Sequence, residues 1–267
     1  MQLELTDTHA HLDFPEFSEG LPLFLDRARQ AGVSRIITIG ISIETSREAA
    51  ALAVQNGSIY AAAGIHPHEA LHLDPGTVES LESIARQERV VAVGEIGLDY
   101  YRDRQPRDIQ RECMRQQIEV ACRLGKPAVF HIREAYEDFL RIIPDYSGRL
   151  SGAVMHCFSG DWEVAKRCLD LGFYLSVPGT VTFSKAETIQ DVVRRAPADR
   201  LLLETDAPFL APIPYRGKTN EPAFVFYTAR KVAELRRERL EAVAATTTAN
   251  ALAIFRIGEI EESSVQP

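Results

Sequence analysis

The chain has 267 residues, 45% of them hydrophobic, and a net charge of −8. That length and apolar content suit one large α/β domain with a substantial core. The acidic balance argues against broad, non-specific adhesion to nucleic acid, while leaving room for a local grip on phosphate through metals and a few arginines. No run of about 18 apolar residues offers a membrane span. No basic segment followed by an apolar stretch marks a secretory signal, so a cytoplasmic location is expected. Cys113, Cys122, Cys157 and Cys168 show no C-x-x-C spacing, so free thiols are expected instead of a zinc finger or disulfide framework.

Short β-branched or apolar runs alternate with longer helical patterns along the chain. The runs lie at 3–8, 35–41, 59–65, 90–96, 127–132, 152–157, 173–177 and 201–204. Helical patterns fill 20–31, 42–55, 78–87, 107–124, 135–143, 162–171 and 186–195, and two more, 221–235 and 240–255, follow the eighth run. Strands alternating with helices imply parallel pairing. Eight such units predict a closed (β/α)8 TIM barrel, spanning 1–257 as one domain, with active residues at the C-terminal ends of the strands. An open doubly wound sheet is the alternative, but no G-x-G-x-x-G follows the first run. Residues 258–267 read as a short polar tail.

The polar residues with chemical potential cluster where such a barrel opens. His9 and His11 end the first run, at i and i+2, and so share one face of a strand. His66 and His68 end the third, Glu95 and Asp99 the fourth, His131 the fifth and His156 the sixth, and Asp206 follows the eighth. Six of the seven histidines thus fall at or just after expected strand ends, with His72 alone elsewhere, in a loop. Nitrogen and oxygen ligands converging at one mouth suit Zn²⁺, Mn²⁺ or Mg²⁺. Glu95, between the early and late ligands, is the candidate bridge, because each of its oxygens can take one cation. His9 and His11 would hold one metal, and His131 and His156 the other. Asp206 can bind a metal and also take a proton from water. Two cations would then stabilise the attacking and leaving oxygens of a phosphoryl displacement.

Each residue also has an ordinary structural reading. His131 and His156 follow apolar runs and could be core histidines. Glu95 could pair with an arginine, and Asp206 could cap a helix. The site fails only if all these readings hold together. His66 and His68 are candidates to touch substrate, and Asp99 could orient a ligand imidazole. Arg133 could clamp a phosphate in a bidentate fork, as could Arg102, Arg216 and Lys218 in the loops after runs four and eight. The commoner fate of such charges is solvation. Tyr100, Tyr101 and Tyr215 are candidates to stack on bases or to pack. Asn220-Glu221-Pro222 reads as a helix entry with Asn220 as the cap.

These segments resemble the TatD family of metal-dependent deoxyribonucleases. The matching stretches are Asp7-Thr8-His9-Ala10-His11-Leu12-Asp13, Gly64-Ile65-His66-Pro67-His68 and Gly94-Glu95-Ile96-Gly97-Leu98-Asp99-Tyr100-Tyr101. They continue through His131-Ile132-Arg133-Glu134-Ala135, His156-Cys157-Phe158-Ser159-Gly160, Glu204-Thr205-Asp206-Ala207-Pro208 and Arg216-Gly217-Lys218-Thr219-Asn220-Glu221-Pro222. The resemblance implies a TIM barrel of the wider amidohydrolase-like group. It implies one metal held by His9, His11, Glu95 and Asp206, and a second held by Glu95, His131 and His156, with Mg²⁺, Mn²⁺ or Zn²⁺ as the ion. It implies a 3′→5′ exonuclease on single-stranded DNA or RNA, with abasic-site and repair roles, and Asp206 orienting or deprotonating the attacking water.

Two other functions compete. One is a different hydrolase of the amidohydrolase-like group, acting on esters, lactones or aminoacyl-tRNA. Such enzymes often bridge their metals with a carboxylated lysine on strand four, where this chain has Glu95. The other is a non-enzymatic metal-carrying adaptor, against which an open ligand set speaks, since structural sites are usually closed.

Overall fold

The computed structural model describes residues 3–18, 20–72 and 74–258, apart from the side chains of Leu71 and His72. Its eight strands are β1 Leu5–Ala10, β2 Val33–Ile39, β3 Ile59–Ala63, β4 Val90–Asp99, β5 Ala128–Arg133, β6 Ala153–Met155, β7 Tyr174–Val177 and β8 Leu201–Leu203. They form one parallel sheet in consecutive order. Helices α1 Pro15–Ser18, α2 Leu21–Gln30, α3 Ile43–Gln55, α4 Pro75–Ala85 and α5 Arg107–Leu124 occupy the first half. The second half carries α6 Tyr136–Ile142, α7 Trp162–Asp170, α8 Glu187–Arg195, α9 Val225–Arg236 and α10 Leu240–Phe255. This is the expected TIM barrel. The sheet does not stay open: β8 returns to β1, through a parallel bridge between Ala10 and Ala207.

Strand alternation divides the core into two layers. Ile37, Tyr60, Val129, Val154 and Leu202 point inward and cluster together with Ala251, Ile254 and Phe255 of α10. Their chain neighbours Ile36, Ile59, Phe130, Met155 and Leu203 point outward against the helices. Each fully buried side chain of this size contributes about 1.5–3 kcal/mol. A Cβ on Gly152, just ahead of β6, would stand 2.4 Å from Ile254 Cδ1, so α10 packs closely against the strands' N-terminal end. Two residues further along each inward row, Val129 leads to His131, Val154 to His156 and Leu202 to Glu204. The period of two that builds the core therefore also aims these polar groups into the mouth.

Local chemistry explains the helix boundaries. Ser42 and Thr45 form a reciprocal capping box at the start of α3, Asp74 caps α4 and Asp161 caps α7, and Gly125 ends α5 in the left-handed conformation. Several expected boundaries move. β4 continues to Asp99 because it stays paired with β5 as far as Asp99 opposite Arg133. The expected helix 221–235 opens as a 3₁₀ turn, Pro222–Phe224, before α9. Asn220 is not its cap: its amide donates to the carbonyls of Thr205 and Phe209 instead. His72 ends a 3₁₀ turn, not a loop. Residues 259–267 of the expected tail lie outside the described residues. The four cysteines are free. Among the described residues, no helix is long and apolar enough to cross a membrane.

Candidate metal centre

Glu95 lies at the centre of the mouth, almost fully buried, with imidazoles on both sides. Its Oε2 faces His9 Nε2 at 3.4 Å and His11 Nε2 at 3.9 Å. Its Oε1 accepts from His131 Nδ1 at 2.7 Å and faces His156 Nε2 at 3.6 Å and His66 Nε2 at 3.7 Å. Asp206 Oδ1 completes the first side, 3.5 Å from His11 Nε2 and 3.8 Å from His9 Nε2, and lies 3.9 Å from His156 Nε2. The rings of His9 and His156 stack with centroids 3.4 Å apart. Gly97 lets β4 come this close to β5, because a Cβ there would stand 2.0 Å from the His131 carbonyl oxygen.

The donor atoms form compact groups that can hold a cation. Three surround Glu95 and Asp206, namely His9, His11 and Asp206; His9, Glu95 and His156; and His66, Glu95 and His131; a fourth, His156, Cys157 and Glu204, lies behind His156. The six residues expected from sequence therefore converge. Their grouping differs in two respects: His66 joins Glu95 and His131, and His156 groups with His9 and Glu95. Both ring nitrogens of His9 are buried without a hydrogen-bond partner. An orphaned buried imidazole nitrogen is costly, and a cation at Nε2 would satisfy that atom. The mixed imidazole and carboxylate set, without a thiolate at the core of the cluster, fits Zn²⁺, Mn²⁺ or Mg²⁺.

Electrostatics keeps the carboxylates charged. Burial pushes Glu95 upward, but the facing imidazoles of His156 and His66, the hydrogen bond from His131 and the nearby His9 outweigh it, holding Glu95 well below the usual carboxylate range. Burial likewise opposes ionisation of Asp206, and His11 and His156 overcome it. Burial pulls His131 down, yet its bonds to Asp99 and Glu95 raise it to about 9. His156 rises against burial to about 10 because Glu204 and Glu95 face it. His9, dominated by burial, is lowered.

Several buried groups hold these candidate ligands in place. Glu204 accepts from His156 Nδ1 at 3.1 Å and from the Cys157 amide at 2.8 Å. Asp99 contacts His68 Nε2 at 3.0 Å and His131 Nε2 at 3.3 Å, and takes the amides of Tyr101 and Arg102 on its other oxygen. Asp7 accepts from the amide and hydroxyl of Thr205. Asp206, in the left-handed region at φ 59°, donates its amide to the His9 carbonyl at 2.9 Å. The sequence reading passed over the positioning roles of Glu204 and Asp7. The available signal was spacing: Asp7 stands two residues before His9, and Glu204 two before Asp206 and two after the inward Leu202.

The substrate candidates separate. His66, His68 and Arg102 line a cavity of about 400 Å³ around Glu95 and Asp206, joined by Arg104, which the sequence reading did not single out. Arg133 lines an adjoining lobe of about 510 Å³, its guanidinium 3.9 Å from the centre of the Tyr101 ring. Arg216 and Lys218 line neither lobe: Arg216 stacks over Phe183 at 4.4 Å and Lys218 approaches Tyr215 at 5.8 Å. Tyr100 bonds Asp138, and Tyr215 stacks on Phe224, so both pack within the protein. A larger groove of about 630 Å³ lies elsewhere, along α2 and the start of α9. Its Arg27 and Glu221 are already paired with each other.

Residues 6–256 match the family model of TatD-related DNases. A Bacillus subtilis relative described as the uncharacterized metal-dependent hydrolase YabD is 42% identical, the match covering 95% of this chain and 99% of that one. A Klebsiella pneumoniae relative, named 3′-5′ ssDNA/RNA exonuclease TatD, is 32% identical over 94% of this chain and 97% of its own. The crystal structure of the Escherichia coli TatD homologue YjjV superposes with a TM-score of 0.90 at 34% identity, covering 96% of this chain and 99% of that one. The chain belongs to the TatD-related DNase family of metal-dependent hydrolases.

Proposed function

We propose that the protein is a phosphodiesterase that removes nucleotides from the 3′ ends of single-stranded DNA or RNA and works with two divalent cations. The observation that carries this reading is the double-faced Glu95. One oxygen turns to His9 and His11, and the other to His131, His156 and His66. Glu95 also stands where a lysine bridge would stand in many amidohydrolases. The name of the Klebsiella pneumoniae relative supports nucleic acid as the substrate.

His9, His11, Glu95 and Asp206 would hold one cation, and Glu95, His131 and His156 the other, with His66 close enough to Glu95 to share in the second set. When bound, the cations supply Lewis acidity toward water and charge compensation for the phosphate oxygens. The protein's own groups do the rest. Asp206 is ionised and its side chain is 14% exposed to the cavity, so it can take the proton of the attacking water. Arg102 and Arg133 stand at the lobes' edge and position the phosphodiester by paired hydrogen bonds.

The test is digestion of 3′- and 5′-labelled single strands by the wild type, Glu95→Ala and Asp206→Ala across Mg²⁺, Mn²⁺ and Zn²⁺. Lactones, dipeptides and acylated tRNA serve as the competing panel. Stepwise loss from the 3′ end, abolished in both variants, is expected. Wild-type rates in both variants, or turnover only on the competing panel, would overturn the reading.

A further inference from the structure

We infer that the lobe beside the metal centre is a seat for the substrate's 3′-terminal nucleobase and that Phe209 is its stacking platform. The inference rests on the nuclease reading above and adds the substrate's point of attachment to it.

Phe209 is 47% exposed and Leu210 38% exposed, although both lie within four residues of Asp206. Solvent exposure of a large aromatic beside a charged site has no stabilising role in the folded protein by itself. Phe209 is nevertheless held firmly. Its amide donates to the Asp206 carbonyl at 2.8 Å, and its carbonyl accepts from Asn220 Nδ2 at 2.6 Å. Phe14 packs edge-on against its ring at 5.5 Å. Downstream, Thr182 Oγ1 accepts from the Ile213 amide at 2.9 Å. A rigid, exposed aromatic face is the form that base stacking uses, because every base presents a π-face and little ordering remains to be done on binding.

The surroundings fit one occupant. Phe209 borders both lobes, the charged one around Glu95 and the apolar one. The apolar lobe has Ile132, Pro178, Ile189 and Leu210 in its walls, with the hydroxyl-bearing Thr180 and Thr188 among them. Its volume of about 510 Å³ falls in the ~300–1,000 Å³ range of small-molecule sites. Arg102 and Arg133 line it where it meets His131, His156 and Asp206. A planar, mostly apolar group attached to an anion matches that sequence of surfaces: the base beside Phe209, the phosphodiester at the arginines and the metal ligands.

The test compares a single strand with an ordinary 3′-terminal nucleotide and the same strand ending in an abasic tetrahydrofuran nucleotide. The wild type should prefer the base-bearing end by about tenfold in kcat/KM. Phe209→Ala should lose that preference, slowing far more on the base-bearing end than on the abasic one, and Phe209→Trp should restore it. Equal slowing on both ends, or no wild-type preference, would overturn the inference. A second measurement needs no turnover: a strand with 2-aminopurine at its 3′ end, bound in EDTA, should be quenched by the wild type and not by Phe209→Ala. If the wild type cuts neither strand, the nuclease reading fails. The seat is then judged by the quench, whose absence in the wild type overturns it.

Discussion

Asp7 and Thr205, 198 residues apart, are joined twice: the Asp7 carboxylate takes the Thr205 hydroxyl at 2.6 Å and its amide at 2.9 Å. This pair spans the seam between the first and last strands. It sets the loop carrying Asp206 beside His9, so the contact that closes the barrel also places a candidate ligand.

The seam should carry its own pH signature in metal-free protein. Burial, against the bonds from Thr205, pushes Asp7 up to about 8, far above the roughly 3.9 of an unfolded aspartate. The folded state therefore holds this proton more tightly than the unfolded chain. Its contribution is fully present below about pH 4 and is lost as the pH rises through about 8. Urea unfolding of the wild type and Asp7→Asn from pH 5 to 9 should show the wild type losing ground to the variant as pH rises. A pH-independent difference would remove this assignment.

Glu95→Gln keeps the shape of the bridge and removes its charge. Mn²⁺ affinity, read by equilibrium dialysis, should fall by more than the 10- to 100-fold typical of groups that only support ligands, and turnover should fall with it. A variant that binds Mn²⁺ as tightly as the wild type would show that Glu95 is not between the cations.

Glu204→Gln tests a supporting group. Glu204 is fully buried and touches His156 and the Cys157 amide. Divalent-ion affinity should fall about 10- to 100-fold, and the far-ultraviolet circular dichroism spectrum should be unchanged. Unaltered affinity would make Glu204 a packing group only.

Metal removal should cost stability as well as activity. A cation that binds only the folded state, at a free concentration 100 times its dissociation constant, contributes about 2.7 kcal/mol. For a chain of this size that is a fall of roughly 5–10 °C in Tm on adding EDTA. Calorimetry with and without Mn²⁺ measures it, and coincident melts would contradict a cation resting on the orphaned Nε2 of His9.

The cationic residues should divide by position. Arg133 borders the cavity, whereas Arg216 lies over Phe183 outside both lobes. Arg133→Ala should raise KM for single strands about tenfold, the loss of a charged hydrogen bond, and Arg216→Ala should leave it near wild type. Steady-state kinetics of the two variants decides, and the reverse order would reassign the phosphate contact.

The sequence by itself determined the barrel and which residues are candidate ligands. Alternation of apolar runs with helical patterns is a local property, and it specifies parallel strands whose ends carry His9, His11, Glu95, His131, His156 and Asp206. Other features were decided only by the tertiary structure. Closure across the Asp7–Thr205 seam, which no local pattern encodes, put Asp206 next to His9. The barrel's packing turned the two oxygens of Glu95 toward different histidines, and the chain after β3 brought His66 beside it. The loop after β8, pinned by Asn220, carried Phe209 to the cavity and left Arg216 and Lys218 outside it. Periodicity along a chain reports which face a side chain takes; distances across a barrel depend on how all eight strands stack, and those appear only once it has closed.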